Sequence, residues 1–564
     1  MSKKPLVECV PNFSEGRNRK VIDQITNEIS RQEGVKLLDV DPGAATNRTV
    51  VTFVGEPEAV LEAAFNAIKK ASELIDMSGH KGEHPRMGAT DVCPLIPVRD
   101  ISMEETAKLA AKLGKRVGDE LGIPVYLYEN AATRPERKNL ATVRSGEYEG
   151  LADKFKDPEW KPDFGPAKFN PRTGATAISA RDFLIAYNVN LNTTSVRRTN
   201  SVAFDVREKG RVKRKGDPIS GEIVRDEKGD PVRVPGTCKG VKAIGWYIDE
   251  YEIAQISMNI TDVRQTPLHK AFEECRKSAT KRGLRVTGSE LVGLVPKQVM
   301  IDAGKYYLTQ QKRSHGIPEE EIIHIAVKSM GLDEFYPFDL EKKIIEYQIE
   351  SLEPGPLASK NLREFANETA SESVAPGGGS IAAYVGSLGA SLATMVANLS
   401  SHKRGWDDRW DFFSDWAVKG EKLKEELLSL VDEDTNAFNA IISAIRLPKS
   451  TAEEKAERAK AIDAATKNAI EVPFRTMQLA DEVFGVAEAM IKDGNPTSVT
   501  DAGVGALCAR AASISAYMNV VVNCKDLDDE AYVSDLMKKA DALKEKANER
   551  EAALTKAVSE RLAQ

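Results

Sequence analysis

The chain has 564 residues, and at about 150 residues per domain it is long enough for three or four domains. Hydrophobic residues make up 41% and charged residues 29%, a balance typical of globular proteins and not of disordered or fibrous chains. A formal net charge of −7 argues against a general nucleic-acid-binding protein, which would carry an excess of basic residues.

The six cysteines are scattered along the chain, and no two of them form a C-x-x-C pair. This spacing argues against a disulfide framework or a zinc ribbon and favours a reducing compartment. The first residues, MSKKPLVECVPNF, lack the apolar segment of a signal peptide. We therefore expect a cytoplasmic protein.

One uncharged segment, residues 373–401, contains a stretch long enough to cross a bilayer, residues 381–399. The mean hydropathy of −0.37 indicates no second span. Small residues recur at every fourth position, at Ala382, Gly386, Ala390 and Thr394. On a helix they would line one face and allow close approach of another backbone. The segment is therefore predicted to be a buried helix of a soluble bundle, without membrane contact.

From residue 1 to about 330, short β-rich runs alternate with helical runs. The predicted order is βαββαβ with an extra αβ, in strands at 6–10, 35–40, 49–55, 91–98 and 125–128 and helices at 18–32, 57–75 and 102–121. A similar order restarts with strands at 183–192, 240–247, 254–262 and 286–294 and helices at 195–207 and 267–282. This pattern predicts two α+β subdomains of split βαβ, ferredoxin-like type. The uncovered face of each sheet would need the other sheet, or a ligand, to leave water.

The remaining segments complete the predicted organisation. Residues 207–236 are rich in charge and in Gly-Asp-Pro, which indicates a solvated hairpin without assigned function. After about residue 350 the strands stop, and helical periods at 415–445, 451–484, 501–524 and 530–562 predict an all-α, up-and-down helical bundle. We expect subdomains at 1–180 and 181–348, a linker at 349–360 and a helical domain at 361–564.

The loop MSGHKGEHPRMGATDV, residues 77–92, holds two of the six histidines, His80 and His84, with Arg86 close by. Loops on rigid scaffolds often present reactive side chains, and a neutral imidazole can act as base or acid. A surface loop with incidental polarity is the alternative. HKGEH also matches the H-x-x-E-H pattern of inverted zinc peptidases. Gly82 and Pro85 disfavour the required helix and no third ligand is evident, so we expect no metal.

Two further loops carry candidate residues. Asp41 follows a predicted strand and could support a catalytic imidazole, while Arg48 or Arg86 could pair with a substrate carboxylate. Asp-Pro-Gly is also a common turn sequence, so Asp41 could equally be a turn residue without a catalytic role. In the second loop, residues 163–177, glycines and prolines fix an irregular backbone, and Lys168 and Arg172 point to an anionic partner. A plain connecting loop is equally compatible with that segment.

In the predicted bundle, steps of four, three and four along an apolar stripe lead from Leu427 through Val431 and Asp434 to Phe438. Asp434 is therefore predicted at a core position, whereas Asp432 and Glu433 fall off the stripe. Burial would raise the pKa of the Asp434 carboxyl, which suits a general acid, although a paired structural Asp is the alternative. APGGGS, residues 375–380, precedes a helix whose N-terminus could accept an anion or be an ordinary turn.

Several segments together resemble the formimidoyltransferase-cyclodeaminase family. LVECVPNFSEG, LLDVD…NRTV, GEHPRMGATDVCPLIPV, PVYLYE and GSELVGLVP resemble its transferase half, and APGGGS and LVDEDTNAF its cyclodeaminase half. The resemblance spans nearly the whole chain in the family's order. It implies transfer of a formimino group from N-formimino-L-glutamate to tetrahydrofolate, then cyclisation of 5-formiminotetrahydrofolate to 5,10-methenyltetrahydrofolate with release of ammonia, two steps of histidine degradation.

The resemblance also implies site residues. The transferase histidine matches His84 and the cyclodeaminase acid matches Asp434, with Asp41 supporting His84. The folate-contacting segment matches Gly165, Pro166, Ala167, Lys168, Phe169, Asn170, Pro171, Arg172, Thr173 and Gly174. Further candidates for the cyclodeaminase site are Gly377, Gly378, Gly379, Ser380 and Asp501.

The resemblance implies as partners formiminoglutamate and a folate, expected to be polyglutamylated, and a homo-oligomer, with no metal, nucleic acid or membrane. The basic residues Lys168 and Arg172 could hold the folate tail. Two alternatives remain: a folate-binding scaffold with degenerate sites, and a metallohydrolase that uses HKGEH.

Overall fold

The computed structural model describes residues 5–43, 46–81, 85–217, 220–350 and 355–563. The chain divides into two compact units. One comprises Met1–Val299 and Gly331–Leu352, and the other Met300–Met330 and Glu353–Gln564. The helical unit thus includes a segment from before residue 348, and the predicted domain boundaries stay predictions.

The first sheet of the first unit has seven strands in the split βαβ arrangement. They are β1 (Leu6–Cys9), β2 (Asn12–Phe13), β3 (Val35–Gly43), β4 (Arg48–Gly55), β5 (Thr90–Arg99), β6 (Val125–Glu129) and β7 (Thr176–Ala180). The order across the sheet is β3, β4, then β1 and β2 together, β5, β7 and β6. Neighbours from β3 to β5 are antiparallel, and β7 is parallel to both β5 and β6. The ferredoxin-like order is confirmed, with β7 as a strand that the sequence did not predict.

Helices cover one face of this sheet. They are α1 (Arg19–Ser30), α2 (Pro57–Leu74) and α3 (Met103–Leu121), whereas the short α4 (Leu140–Val143) and α5 (Leu151–Lys154) pack against the other face. The α3 helix begins with the capping box of Ser102 and Glu105. Val7 and Cys9 on β1 are buried in the apolar core beneath the helices. Since side chains alternate along a strand, Glu8 lies on the opposite face of the sheet.

The second sheet repeats the arrangement. Its part of the chain contains β8 (Ile185–Leu191), α6 (Val196–Val206), β9 (Arg211–Val212), β10 (Arg233–Val234), β11 (Val241–Ile248), β12 (Ile253–Ile260), α7 (Leu268–Thr280) and β13 (Val286–Val292). The sheet order β11, β12, β8, β13 is antiparallel throughout, so the second split βαβ is also confirmed. The charged excursion forms a separate two-stranded hairpin of β9 and β10.

The rest of the described chain is helical. It contains α8 (Lys297–Gln310), α9 (Glu319–Met330), α10 (Leu340–Lys343), α11 (Ile345–Glu350), α12 (Leu362–Thr369), α13 (Gly378–Ser401), α14 (Trp410–Ile445), α15 (Ala452–Asp493), α16 (Val499–Cys524) and α17 (Glu530–Leu562). Helices α13 to α16 pack around a common core, and α17 packs on α15 and α16. The predicted all-α bundle is confirmed, while α8 and α9 were not predicted.

The four small residues of α13 are buried, as predicted: Ala382, Gly386, Ala390 and Thr394. Two helical segments, Gly378–Ser401 and Pro496–Cys524, are long and apolar enough to cross a membrane by length and composition alone. The expectation of no second such segment is therefore wrong. In the first segment 61% of the apolar window is buried inside the protein, and in the second 39%. Burial among partner helices accounts for much of the apolar character of the first.

Candidate active sites

The predicted transferase histidine, His84, lies outside the described residues, together with Gly82 and Glu83. Its role stays a prediction. Two described residues of the loop, Lys81 and Arg86, line a shallow cavity of about 660 Å³. The described part of the loop therefore borders a space that a substrate can enter.

The other histidine of the loop, His80, is held on both sides of its ring. Its Nε2 lies 2.9 Å from the backbone carbonyl of Asn47, and Nε of Arg86 donates to its Nδ1 at 3.2 Å. Because Arg86 can only donate, Nδ1 accepts and the proton is on Nε2, which donates to Asn47. His80 is thus a fixed, neutral ring that positions the loop. This favours His84 over His80 as the proton-transferring residue.

Arg86 is buried and already paired. Its two terminal nitrogens donate to the two carboxylate oxygens of Glu149, at 3.0 and 2.7 Å. These hydrogen bonds raise the pKa of Arg86. The expectation that Arg86 holds a substrate carboxylate disagrees with this geometry, because Glu149 occupies the bidentate face of the guanidinium. Arg86 is placed to hold the cavity wall.

The segment from Gly165 to Gly174 borders the same cavity. The Tyr148 hydroxyl, part of the cavity wall, donates to the carbonyl of Pro171 at 2.5 Å, and its ring lies 5.5 Å from that of Phe169. Lys168 is exposed, whereas the guanidinium of Arg172 donates to the carbonyl of Glu73. The predicted folate segment and the loop of residues 77–92 are therefore neighbours, and both basic residues of the segment, Lys168 and Arg172, are exposed.

Gly174 has a structural reason to be glycine. Its φ is +65°, and a Cβ there would lie 2.1 Å from the carbonyl oxygen of Met87. The close approach joins the folate segment to the loop through the bridge between Gly88 and Gly174.

Arg48 is fixed by a buried carboxylate. Asp91, which is completely buried, accepts from Arg48 at 2.7 Å and from Arg144 at 2.5 Å through one oxygen. Its other oxygen accepts from the backbone N–H of Met87 at 3.0 Å. The remaining face of Arg48 donates to the side-chain oxygen of Asn12, at 2.9 and 2.7 Å. Arg48 is therefore held rigidly where it lines a second cavity.

This second cavity, of about 500 Å³, lies between the uncovered faces of the two sheets. Asp41 lines it from β3, and across the cavity the second sheet contributes Lys242 and Asn259, which pair across β11 and β12. Burial and the charge of Asp41 raise the pKa of its neighbour Asp39. As predicted, the two sheet faces are directed at each other, with a ligand-sized space between them.

In the helical unit, Asp434 contacts the first turn of α13. One of its carboxylate oxygens accepts from the backbone N–H of Ser380 at 2.9 Å and lies 3.1 Å from the Ser380 hydroxyl. Burial raises the pKa of the Asp434 carboxyl, and the hydrogen bonds from Ser380 partly oppose that rise. Burial thus favours the protonated form of the carboxyl. The backbone N–H of Ser380 holds it in place, and the Ser380 hydroxyl shares its single proton between Asp434 and the carbonyl of Val431 at 2.8 Å.

The glycine segment before α13 and Asp434 line one cavity of about 160 Å³. A Cβ at Gly379 would lie 2.1 Å from the other carboxylate oxygen of Asp434, so no larger residue fits there without movement. The anion at the N-terminus of α13 is accordingly the side chain of Asp434 itself. The cavity also includes Asn519 and Asn523 of α16.

Two expectations about this site need correction, and the role of a third residue, Asp501, stays a prediction. Asp432, not Asp434, is the more buried carboxylate, and it accepts from the backbone N–H groups of Leu357 at 2.8 Å and Ala358 at 3.0 Å. Phe438 is 46% exposed, so the apolar stripe ends before it. Asp501 lies in the first turn of α16, about 27 Å along the helix from Asn519 at 1.5 Å per residue, and is not among the residues that line this cavity.

The chain matches family models over most of its length. The formiminotransferase domain, N-terminal subdomain, matches residues 6–181, the formiminotransferase domain residues 186–350, and the formiminotransferase-cyclodeaminase model residues 361–542. The formimidoyltransferase-cyclodeaminase of Mus musculus is 44% identical over 93% of this chain and 94% of that protein. The chain belongs to the formimidoyltransferase-cyclodeaminase family.

Two shorter relatives each match one part of this family member. The glutamate formimidoyltransferase of Thermoplasma acidophilum is 45% identical over 54% of this chain and 92% of its own length. The methenyltetrahydrofolate cyclohydrolase of Methylorubrum extorquens is 37% identical over 33% of this chain and 89% of its own length.

Sequence reasoning missed Asn519 and Asn523, which line the cavity beside Asp434. The sequence does contain a pattern that indicates them. The two amide side chains lie four residues apart in the apolar stretch MNVVVNC and therefore share one helix face. Among the described residues, no three His, Cys, Asp or Glu side chains are grouped so that they could hold a metal ion. Glu83 and His84 of HKGEH lie outside that description.

Proposed function

We propose that this chain is a bifunctional folate enzyme of histidine degradation. It transfers the formimino group of N-formimino-L-glutamate to tetrahydrofolate and releases glutamate. It then converts 5-formiminotetrahydrofolate into 5,10-methenyltetrahydrofolate and releases ammonia. The observation that carries the proposal is the match of both family halves, in order, to one chain.

In the transfer step, N5 of the folate attacks the amidine carbon and the amine of glutamate departs. His84 accepts the proton from N5 and returns one to the departing amine. Asp41 supports the charge change on the imidazole. Arg48, held by Asp91 and Asn12, keeps a positive charge in the cavity wall that attracts a substrate carboxylate.

In the cyclisation step, N10 attacks the formimino carbon, its proton passes to the formimino nitrogen, and the bond from the carbon to that nitrogen then breaks. Asp434 donates a proton to that nitrogen, since ammonia leaves far more readily than amide ion. The raised pKa of Asp434 keeps a proton available for this step. The amides of Asn519 and Asn523 line the same cavity and offer hydrogen bonds to the folate.

The substrate is proposed to be a polyglutamylated folate, whose several carboxylates allow the protein to bind it away from the reacting ring. Exposed Lys168 is one basic residue that suits this tail. Joining the two activities raises the effective concentration of the intermediate at the second site. A cytoplasmic homo-oligomer without a bound metal is part of the same proposal.

The test is incubation of the purified protein with formiminoglutamate and tetrahydrofolate, with methenylfolate absorbance and free ammonia as readouts. His84→Ala should abolish transfer and keep cyclisation of added 5-formiminotetrahydrofolate. Asp434→Asn should do the reverse. Full activity of both variants in both assays would contradict the proposed roles.

The two alternatives have their own outcomes in this test. A folate-binding scaffold with degenerate sites would bind folate and form neither product. A metallohydrolase using HKGEH would contain a stoichiometric metal and lose its activity to a chelator.

A second activity of the helical unit is favoured by its similarity to the methenyltetrahydrofolate cyclohydrolase. Cyclisation expels ammonia from the carbon between N5 and N10, and hydrolysis of the product adds water to the same carbon. Asp434, once deprotonated, can accept the proton from that water. Conversion of added 5,10-methenyltetrahydrofolate to a formylfolate, faster with wild type than with Asp434→Asn, would establish this activity.

A further inference from the structure

Glu8 is a buried carboxyl group that the mechanism above does not use. It is 4% exposed and lies on β1, a central strand of the first sheet. Its side chain is on the face away from α1, α2 and α3 and lines the 500 Å³ cavity between the sheets. Asp41 and Arg48, which have roles in the proposed transfer step, line the same cavity, so this inference rests on that proposed function.

The carboxyl of Glu8 lacks protein partners within the described chain. No donor from residues 5–43, 46–81, 85–217, 220–350 or 355–563 forms a hydrogen bond with it. Asp91, on the neighbouring strand β5, provides the contrast: it is equally buried, yet its two oxygens accept from Arg48, Arg144 and the backbone of Met87. Buried carboxyl oxygens normally have partners, because leaving them without one costs free energy. The unfilled acceptors of Glu8 therefore point to a ligand in the cavity.

The charges around Glu8 set its titration. Burial raises the pKa of Glu8 to about 7, a rise that the positive charge of Arg181 partly opposes and the negative charge of Glu346 on α11 reinforces. The other positive charges in the cavity wall are Arg48, Arg144 and Lys242. The other titratable groups there are Asp39, Asp41, Tyr128 and Glu129. Cys9, which follows Glu8 on β1, faces the core of the sheet instead.

We infer that Glu8 recognises a substrate edge that presents two N–H donors side by side, and accepts one hydrogen bond on each carboxylate oxygen. Two parallel N–H···O bonds to one carboxylate are the geometry of the strongest charge-assisted pairs. The proposed reaction offers two such edges. One is the formimino amidine of the amino-acid substrate, and the other is the 2-amino and N3 edge of the pterin.

This role has a definite pH dependence. Only the ionised carboxylate accepts from two donors, because a protonated carboxyl has a donor of its own. Glu8 is mostly protonated at pH 6 and mostly ionised at pH 8, so binding of the recognised substrate should strengthen as pH rises between these values. The fraction ionised changes about tenfold across this interval, and we expect the KM of that substrate to fall by about the same factor.

The test uses Glu8→Gln in the full-length protein, with Glu129→Gln as the matched control. Glu129 lines the same cavity on β6, so its variant reports the effect of removing a charge from this space. Transfer is measured from pH 6 to pH 8 with each substrate varied in turn. Glu8→Gln should raise one KM about tenfold or more at pH 8 and abolish the pH dependence of that KM, since hydrogen bonds to a charged group contribute this much. Glu129→Gln should keep the wild-type pH dependence.

The substrate whose KM rises in Glu8→Gln is the one whose pair of N–H donors Glu8 binds. A rise for formiminoglutamate alone assigns the amidine, and a rise for tetrahydrofolate alone assigns the pterin. Unchanged constants for both substrates, or equal changes in both, would overturn the inference. A transfer kcat of Glu8→Gln near the wild-type value at saturating substrate checks that the unit with the substitution is folded, since cyclisation reports on the helical unit. A wild-type protein without transfer activity would refute the proposed function and this inference with it, whereas an active wild type and an unaltered Glu8→Gln would refute the inference alone.

Discussion

Ser380 places its backbone N–H and its hydroxyl 2.9 and 3.1 Å from the same carboxylate oxygen of Asp434. Two opposing influences therefore act on this acid. Burial favours the protonated form, while both donors and the N-terminus of α13 favour the ionised form. Burial prevails, and the pKa of Asp434 is raised, so the strength of the acid depends on a contact that a single substitution can weaken.

Ser380→Ala should move the pH profile of cyclisation. It removes the hydroxyl but keeps the backbone donor, so the pKa of Asp434 should rise further, because one of the hydrogen bonds that lower it is lost. The fall in the cyclisation rate at alkaline pH should shift to higher pH when the rate is measured with 5-formiminotetrahydrofolate. Ser387→Ala is the matched control, because Ser387 is a buried serine of α13 whose hydroxyl donates to the carbonyl of Lys424 instead. A Ser380→Ala profile that coincides with that of the control would contradict the assignment.

Gly379→Ala should abolish most cyclisation while transfer continues. The added Cβ would lie 2.1 Å from a carboxylate oxygen of Asp434, and either the acid or the first turn of α13 must move. Gly485→Ala is the control within the same unit, since a Cβ at Gly485 in α15 meets no atom within 4 Å. That substitution should leave both rates unchanged and raise stability by about 0.5–1 kcal/mol through helix propensity. Normal cyclisation by Gly379→Ala would show that Asp434 is not the acid.

The fold could be predicted to a large extent because its elements have regular hydrophobic periods. Both split βαβ orders and the long bundle helices follow from such periods. The β7 strand, Thr176–Ala180, was missed because all five of its residues are buried between neighbouring strands, which removes the alternation that marks a half-exposed strand. The excursion was correctly predicted as a hairpin, from its turn residues.

The sites were less predictable, because their geometry depends on contacts between distant residues. Arg86 pairs with Glu149, 63 positions away, and no local pattern predicts that pair. Counting along the stripe selected Asp434, but the structure gives a different reason for its position. Asp432 faces the buried backbone of residues 357 and 358, whereas Asp434 faces the first turn of α13. Helix period places residues on a face and does not identify what that face meets.

Asp432→Asn and Asp434→Asn should therefore have opposite effects. Asp432 accepts two buried backbone N–H groups, and an amide in its place would direct a donor at one of them, which should cost roughly 1–3 kcal/mol. Cyclisation should persist in Asp432→Asn below its lowered melting temperature. Asp434→Asn should lose cyclisation without a comparable loss of stability, because the native pKa of Asp434 is raised and its ionised form already costs stability. Thermal unfolding and cyclisation rates of both variants, measured together, check the pair.

Glu8 should make the stability of the ligand-free protein depend on pH. Its native pKa of about 7 exceeds the ordinary value of 4.5, so its stabilising contribution is complete below pH 4.5 and disappears as pH rises through 7. A shift of this size corresponds to about 3 kcal/mol lost by pH 8. Glu8→Gln cannot ionise, so its melting temperature relative to wild type should increase between pH 6 and pH 8. The recognised substrate should reverse part of this difference by stabilising wild type more than the variant, because ligand binding to the native state adds to stability. A constant difference across this pH range would mean that the Glu8 carboxyl does not titrate there and is not the buried acceptor inferred above.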